Sequence, residues 1–124
     1  MILKRLSKLT RRRMTTVTAW SFEQIKEQAL HPNPSVQLVD VRETSEHTYT
    51  PRHAPIPSSI TIPMSSFDPA TAISKCSHAD HLVFYCEAGV RAKRAADMVN
   101  EFGSGKTISY YPGSHKEWRQ KSFE

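Results

Sequence analysis

Four short apolar runs predict the β-strands of this chain. The runs are VQLVDV, SITIP, HLVFY and KTISYYP. They are rich in β-branched or aromatic residues and are bounded by polar or proline-containing turns, which is typical of buried strands. The polar segment between the first two runs, RETSEHTYTPRHAPIPS, predicts a loop with a short helical turn around residues 43–47.

A helical pattern precedes the first strand, in WSFEQIKEQAL. Ser21 stands three residues before Gln24, which predicts a capping box at the start of the helix. The predicted apolar stripe of this helix consists of Phe22, Ile25 and Leu30. The helix is expected to end at HPNPS, because proline cannot continue the helical hydrogen bonds.

Three further helical patterns follow the later strands. The strongest is VRAKRAADMVNEFG, in which Gly103 is the expected C-terminal stop. Its predicted apolar face consists of Val90, Ala95, Met98, Val99 and Phe102. Weaker patterns predict one or two short helical turns in MSSFDPATAISK and a short C-terminal helix in GSHKEWRQKSF, with Trp118 packed on the core.

The alternation of strands and helices predicts the fold class. Parallel strands are joined by helical crossovers, so we expect a three-layer α/β domain with a central, mostly parallel sheet and helices on both faces. The 124 residues suit a single domain.

Charge changes this picture only at the amino terminus. The chain has 17 basic and 12 acidic residues, and a formal charge of +5 would suit a nucleic-acid or membrane-surface partner. However, six of the basic residues precede position 14, and the first acidic residue is Glu23. From residue 14 onward the chain therefore has 11 basic and 12 acidic residues. The domain itself is nearly neutral, and no nucleic-acid partner is predicted.

Residues 1–15 predict a mitochondrial targeting leader, and residues 16–124 the folded domain. The leader is basic, bears hydroxyl groups and lacks acids, and Ile2, Leu6 and Leu9 share one side of a helix. We therefore expect a location in the mitochondrial matrix; the alternative is a basic arm kept on a cytoplasmic protein. No segment has the apolar length of a transmembrane helix, so stable membrane insertion is not expected.

The two cysteines, Cys76 and Cys86, are too few for a disulfide framework. His78 and His81 beside Cys76 come nearest to the spacing of metal ligands, but the segment SKCSHADH is better interpreted as a polar surface turn. No metal or other cofactor is predicted.

The stretch CEAGVR at positions 86–91 is the candidate site, because it places a cysteine where a strand ends and a helix begins. Ligands of open α/β sheets bind at this edge, and the unpaired N–H groups at the start of a helix stabilise anions. We expect these groups to stabilise the nucleophilic thiolate of Cys86 and an anionic substrate. Ala88 and Gly89 are small enough for the backbone to curl with its amides inward, and Arg91 closes the curl.

Together with this loop, three other segments resemble the successive motifs of the single-domain rhodanese, or thiosulfate sulfurtransferase, family. In chain order the four segments are LVDVRE, IPSSITIP, LVFYCEAGVRA and SYYPGSHKEW. The resemblance covers residues 20–119. It implies the rhodanese-like fold and a sulfurtransferase that moves a sulfane sulfur from thiosulfate or a persulfide donor to a thiophilic acceptor. The sulfur would be carried as a persulfide on Cys86.

The resemblance also implies roles for the loop residues. The backbone amides of Glu87, Ala88, Gly89, Val90 and Arg91 would hold the sulfur of Cys86 and the transferred one. Arg91 would align the donor. Apart from the resemblance, the position of Arg42 after Asp40 at the strand end predicts a structural ion pair or hydrogen-bonding group, or alternatively a residue at the rim of the pocket. The implied partners are a small anionic sulfur donor, a thiol or cyanide acceptor and, as a further candidate, a protein persulfide.

The sequence departs from the family pattern at three places. HAPIPSS replaces a common Gly-His-Ile-Pro-Gly run, and Gly113, Ser114 and His115 replace a Gly-Gly-aromatic run. Glu87 follows the cysteine where thiosulfate-using relatives often have a basic or neutral residue. A carboxylate at the loop mouth would disfavour doubly charged thiosulfate and favour a persulfide donor. Alternatively, Glu87 points to solvent and pairs with Lys93 or Arg94.

Two other functions remain open. Cysteine-dependent phosphatases of the same fold have five residues between Cys and Arg, whereas four separate Cys86 from Arg91. The shorter curl suits a sulfur atom better than a phosphoryl group. A noncatalytic rhodanese-like binding module is the second alternative, although such modules commonly lack the cysteine.

Overall fold

A central sheet of five parallel strands organises residues 16–122, the part of the chain that the computed structural model describes. The strands are β1 (Thr18–Ala19), β2 (Val36–Asp40), β3 (Ser59–Thr61), β4 (His81–Tyr85) and β5 (Thr107–Tyr110). Their order across the sheet is β1-β5-β4-β2-β3. The predicted leader, residues 1–15, lies outside the described residues.

Helices cover both faces of this sheet. They are α1 (Phe22–Leu30), α2 (Pro69–Lys75), α3 (Val90–Phe102) and α4 (Ser114–Ser122). Three 3-10 turns lie in the connections around β3, at Thr44–Thr48, Pro51–His53 and Met64–Ser66. Helices α2 and α3 pack on one face and α1 and α4 on the other, which confirms the predicted three-layer α/β fold.

Strand β4 lies at the centre of the sheet and is buried on both faces. Leu82 and Phe84 point toward α2 and α3, whereas Val83 and Tyr85 point toward α1. Because both faces are covered, the strand is a continuous apolar run in the sequence. Cys86 directly follows β4 and therefore lies at the carboxyl edge of the sheet.

Local sequence signals determine the ends of α1 and α3. The Ser21 hydroxyl accepts the Gln24 N–H at 3.2 Å, and the Gln24 side chain accepts the Ser21 N–H at 2.8 Å, which is the predicted capping box. Helix α3 ends at Gly103, whose φ of 83° is left-handed, as the prediction of a glycine stop requires.

The buried faces of the helices differ in part from the predicted stripes. Helix α3 turns mainly alanines toward the core, and its buried residues are Ala92, Ala95, Ala96 and Val99. Val90 and Phe102, predicted to be apolar-face residues, are 80% and 47% exposed. Leu30 in α1 is likewise exposed, while Ala29 beside it is buried. Small side chains on α3 allow it to lie close to the sheet, which leaves the larger residues at its ends outside the core.

Candidate active site

The Cys86 sulfur lies in a cradle of backbone N–H groups. The N–H groups of Gly89 and Ala92 point at Cys86 Sγ, at N···S distances of 3.1 and 3.3 Å. Gly89 directly precedes α3 and Ala92 lies in its first turn, where backbone N–H groups have no helical partner. These groups and the positive end of the helix dipole stabilise negative charge on the sulfur.

Gly89 makes this cradle possible. Its φ is 105°, a left-handed conformation that turns its N–H back toward the sulfur. A β-carbon at this position would lie 2.6 Å from the carbonyl oxygen of Pro112. The loop therefore requires glycine both for its backbone angle and for the close approach of the segment before α4.

The amino end of α4 holds the loop from the side opposite α3. The N–H of His115 donates to the Cys86 carbonyl at 2.9 Å, and that of Lys116 donates to the Glu87 carbonyl at 3.0 Å. The Cys86 N–H donates to the hydroxyl of Ser114 at 3.1 Å. Successive polar groups of the loop backbone are thus fixed by a helix 28 residues further along the chain.

His115 extends this contact to the loop before β3. It is fully buried, stacks on Tyr85, and its Nε2 lies 2.7 Å from the carbonyl oxygen of Ala54. Its Nδ1 faces a guanidinium nitrogen of Arg119 at 2.9 Å. Burial, reinforced by the charge of Arg42, lowers the pKa of His115 to about 4. The imidazole is therefore neutral at pH 7, with Nε2 as donor and Nδ1 as acceptor.

Arg91 closes the loop by pairing with Glu46. Two of its nitrogens contact the two carboxylate oxygens at 2.7 and 2.9 Å, a bidentate ion pair. Hydrogen bonding to Arg91 lowers the pKa of Glu46 to about 2, despite the opposing effect of burial. The pKa of Arg91 rises, mainly through Glu46, and Cys86 adds a smaller contribution in the same direction. Arg91 is thus close enough to the sulfur to interact with it electrostatically, while its guanidinium group is hydrogen-bonded to Glu46.

Glu87 pairs with Arg119 on α4, again through both carboxylate oxygens, at 2.8 and 2.6 Å. The hydrogen bond from Arg119 is the main reason that the pKa of Glu87 is lowered. The predicted alternative of a pair with Lys93 or Arg94 is wrong, since Lys93 contacts Asp97 one turn along α3. A carboxylate neutralised in this way repels an anionic donor less than an unpaired one.

Arg42 lies in the interior of the domain and is not exposed at its surface. Its side chain is fully buried and forms an ion pair with Asp40 at 2.8 Å, with further hydrogen bonds at 3.1 Å. This is the structural ion pair that was one of the two predictions for Arg42.

The remaining predicted loop residues face outward. Ala88 and Val90 are exposed on either side of the buried Gly89. Three side chains that hold the loop were not predicted as site residues from the sequence, namely Glu46, Ser114 and Arg119. Ser114 was noted as a departure from the Gly-Gly-aromatic run, and that departure was the only signal that could have identified it.

Residues 16–122 contain no cluster of three or more histidine, cysteine or acidic side chains arranged to hold a metal ion. Within the same residues, no helix is both long enough and apolar enough to cross a lipid bilayer. Both cysteines are free and buried.

Known proteins resemble this chain over most of its length. The model of the rhodanese-like domain matches residues 22–121. Thiosulfate sulfurtransferase RDL2, mitochondrial, of Saccharomyces cerevisiae is 34% identical over 109 residues, which are 82% of this chain and 72% of that protein. Thiosulfate:glutathione sulfurtransferase of the same yeast is 34% identical over 116 residues, covering 85% of this chain and 80% of the relative.

A solved structure agrees with these sequence matches. The crystal structure of the single-domain sulfurtransferase RDL2 of Saccharomyces cerevisiae superposes with a TM-score of 0.64 at 29% identity. The superposition covers 87% of this chain and 93% of the yeast protein. With the parallel sheet, the cysteine at its carboxyl edge and the match over residues 22–121, the chain belongs to the rhodanese-like domain family.

Proposed function

We propose that this protein is a sulfurtransferase in which Cys86 carries the sulfur as a persulfide. The observation that supports this most directly is the position of Cys86 Sγ, which receives two backbone N–H groups at the amino end of α3. Two yeast relatives, each 34% identical to this chain, bear the names of thiosulfate sulfurtransferases. A thiolate held in this way is a nucleophile with a defined direction of attack.

The reaction has two balanced steps. In the first, the Cys86 thiolate attacks the outer sulfur of thiosulfate, the S–S bond of the donor breaks, and sulfite leaves with the bonding electron pair. In the second, the acceptor thiol passes its proton to the outer sulfur of the persulfide anion, and the resulting acceptor thiolate attacks that sulfur. The acceptor then carries the sulfur and its proton, and Cys86 returns as a thiolate.

Backbone groups rather than charged side chains provide the anion site in this proposal. The family resemblance implies that the amides from Glu87 to Arg91 hold the bound donor. The contacts of the Gly89 and Ala92 N–H groups with Cys86 Sγ support an anion site made by the backbone at this place. Arg91 holds Glu46 in the protein without donor, so it would contact a donor only by exchanging this partner. Its role before donor binding is to fix the loop against the 3-10 turn at Thr44–Thr48.

The pairing of Glu87 changes the expected choice of donor. Because Arg119 neutralises this carboxylate, charge repulsion at the loop mouth does not by itself exclude thiosulfate. Thiosulfate and small persulfides such as glutathione persulfide are therefore both proposed as donors. A thiol is proposed as the acceptor, with cyanide as a chemical substitute and a protein persulfide as an exchange partner.

Intact-protein mass spectrometry tests the assignment of Cys86. After incubation with thiosulfate and removal of excess donor, the wild-type protein should gain the mass of one sulfur atom, and glutathione should remove it. A Cys86→Ser protein should gain nothing. Cys76→Ser is the matched control, because Cys76 is equally buried but lies in the core beside α2, and it should take up sulfur as wild type does. Equal uptake by Cys86→Ser, or dependence on Cys76, would refute the proposal.

We also propose that residues 1–15 direct the protein to mitochondria. Their basic, acid-free composition supports this, as does the mitochondrial designation of the yeast relative RDL2. A fluorescent reporter carrying residues 1–15 should enter mitochondria, whereas residues 16–124 fused to the same reporter should not. Diffuse signal from the first fusion would contradict this.

A further inference from the structure

Ser114 has a backbone conformation that is unusual for a residue with a side chain. Its φ is 54°, in the left-handed region that favours glycine, and its side chain is fully buried. Within residues 16–122, Ser58, with a φ of 71°, is the other non-glycine residue in this region. The family resemblance places Ser114 where relatives often have glycine, so this chain keeps a hydroxyl at a position that glycine would occupy with less strain.

The hydroxyl of Ser114 lies between three groups of the site. It donates to the carbonyl oxygen of Tyr111 at 2.7 Å and accepts the Cys86 N–H at 3.1 Å. It also lies 3.8 Å from Cys86 Sγ, within the range of a hydrogen bond to sulfur. A hydroxyl has one proton, so it donates either to Tyr111 or to the sulfur.

Turning the proton toward the sulfur leaves no buried carbonyl without a partner. The Tyr111 carbonyl also accepts the backbone N–H of Ser114, at 3.1 Å. It therefore keeps one hydrogen bond when the hydroxyl turns away. The rotation exchanges a bond to a neutral oxygen for a bond to sulfur, and it is favourable when the sulfur is charged, since hydrogen bonds to ionised atoms are stronger.

From this arrangement we propose that Ser114 is a catalytic residue that donates its hydroxyl proton in a hydrogen bond to the Cys86 thiolate. The proposal rests on the sulfurtransferase function proposed above. The bond becomes favourable as negative charge develops on Sγ, when an acceptor thiolate attacks the outer sulfur and the S–S bond breaks toward Cys86. While Sγ is bonded to the outer sulfur, the hydroxyl returns to Tyr111. Ser114 thus stabilises the leaving group of the second step.

Two substitutions separate this role from a structural one. Ser114→Ala and Ser114→Gly both remove the hydroxyl, and both remove the acceptor of the Cys86 N–H. They differ in backbone strain, because glycine accepts a positive φ and alanine resists it. Ser114→Gly should therefore unfold at a higher urea concentration than Ser114→Ala, while both should lose the same catalytic contribution.

The measurement is the single-turnover discharge of the persulfide to glutathione, followed by rapid quenching and mass spectrometry. Each protein is first loaded with one sulfur from thiosulfate, so that discharge is observed separately from loading. Both variants should discharge about tenfold more slowly than wild type, the effect expected for one hydrogen bond to a charged atom. Ser58→Gly is the matched control: it relieves a positive φ at an exposed position and should discharge like wild type.

A spectroscopic measurement gives an independent result. The ultraviolet absorbance of thiolate in the unloaded protein should be lower at pH 7 in both Ser114 variants than in wild type. Cys76 contributes little to this absorbance, because burial raises the pKa of its thiol.

Three results would overturn the proposal in distinguishable ways. If wild-type protein acquires no sulfur, the sulfurtransferase function itself fails. If wild type is loaded but both Ser114 variants discharge at its rate, only the role of Ser114 fails. If Ser114→Gly discharges like wild type and Ser114→Ala does not, the rate follows backbone strain, and the residue is structural.

Discussion

Acidification should destabilise this protein through His115 before it affects the carboxylates. His115 is fully buried, and its pKa of about 4 lies well below the ordinary value of 6.5 for histidine. Between pH 4 and pH 6.5, the unfolded chain therefore binds a proton on His115 that the folded protein excludes. Stability from this residue is complete above pH 6.5 and is lost as the pH falls toward 4.

The magnitude follows from the two pKa values. Linkage between pH 7 and pH 4.5 gives a loss of about 2.5 kcal/mol from His115 alone. The contacts of the ring explain why the folded protein excludes the proton. Nε2 already donates to the Ala54 carbonyl, and a proton on Nδ1 would face the guanidinium of Arg119.

Urea unfolding at pH 7 and pH 4.5, for wild type and His115→Gln, measures this contribution. Glutamine has a donor and an acceptor but does not titrate, so the variant should be less stable at pH 7 and lose about 2.5 kcal/mol less on acidification. Burial also lowers the pKa of His81, so His81→Gln measures separately the contribution of this second histidine to the loss of stability on acidification. Equal losses in wild type and His115→Gln would refute the reasoning.

Three further substitutions test the loop. Glu46→Gln should lower the free energy of unfolding by about 1–3 kcal/mol, because Arg91 loses its bidentate partner. Urea unfolding should show this difference shrinking as the pH falls from 4.5 toward 2, since the pKa of Glu46 in the folded wild type is about 2 and its contribution to stability is lost over this range. Gly89→Ala should abolish sulfur uptake and lower stability by about 2 kcal/mol or more, as measured by mass spectrometry and thermal unfolding, since the new β-carbon would lie 2.6 Å from a carbonyl oxygen. Glu87→Gln exposes the charge of Arg119 and should raise kcat/KM for thiosulfate more than for glutathione persulfide; an unchanged ratio would remove Glu87 from donor selection.

The sequence was most informative where one local pattern determines one local structure. Ser21 and Gln24 predicted a capping box, Gly103 predicted the end of α3, and both are present. The apolar run before Cys86 predicted a buried strand followed by a helix, which placed the sulfur at the carboxyl edge of the sheet. These features depend on residues within a few positions of one another, so their signal is contained in a short stretch.

Contacts between distant segments could not be predicted in the same way. The residues that fix the loop, Glu46, Ser114 and Arg119, are separated from their partners by 45, 28 and 32 positions. Nothing in a single sequence specifies which carboxylate pairs with which guanidinium. Strand β1 was missed for a different reason, since its two residues, Thr18–Ala19, are too few to form a pattern.

The arrangement of charges around Cys86 has a consequence for how donors are selected. Arg91 and Arg119 flank the loop, but each is neutralised by a carboxylate, so these pairs add little net charge. The groups that contact the sulfur are two backbone amides and the Ser114 hydroxyl, which are uncharged, and their short-range hydrogen bonds depend weakly on ionic strength. Donor binding should therefore depend on the shape of the cradle more than on long-range attraction, and kcat/KM for thiosulfate should change little with added salt. Substitutions that alter the path of the backbone should then impair sulfur transfer more than substitutions that alter surface charge.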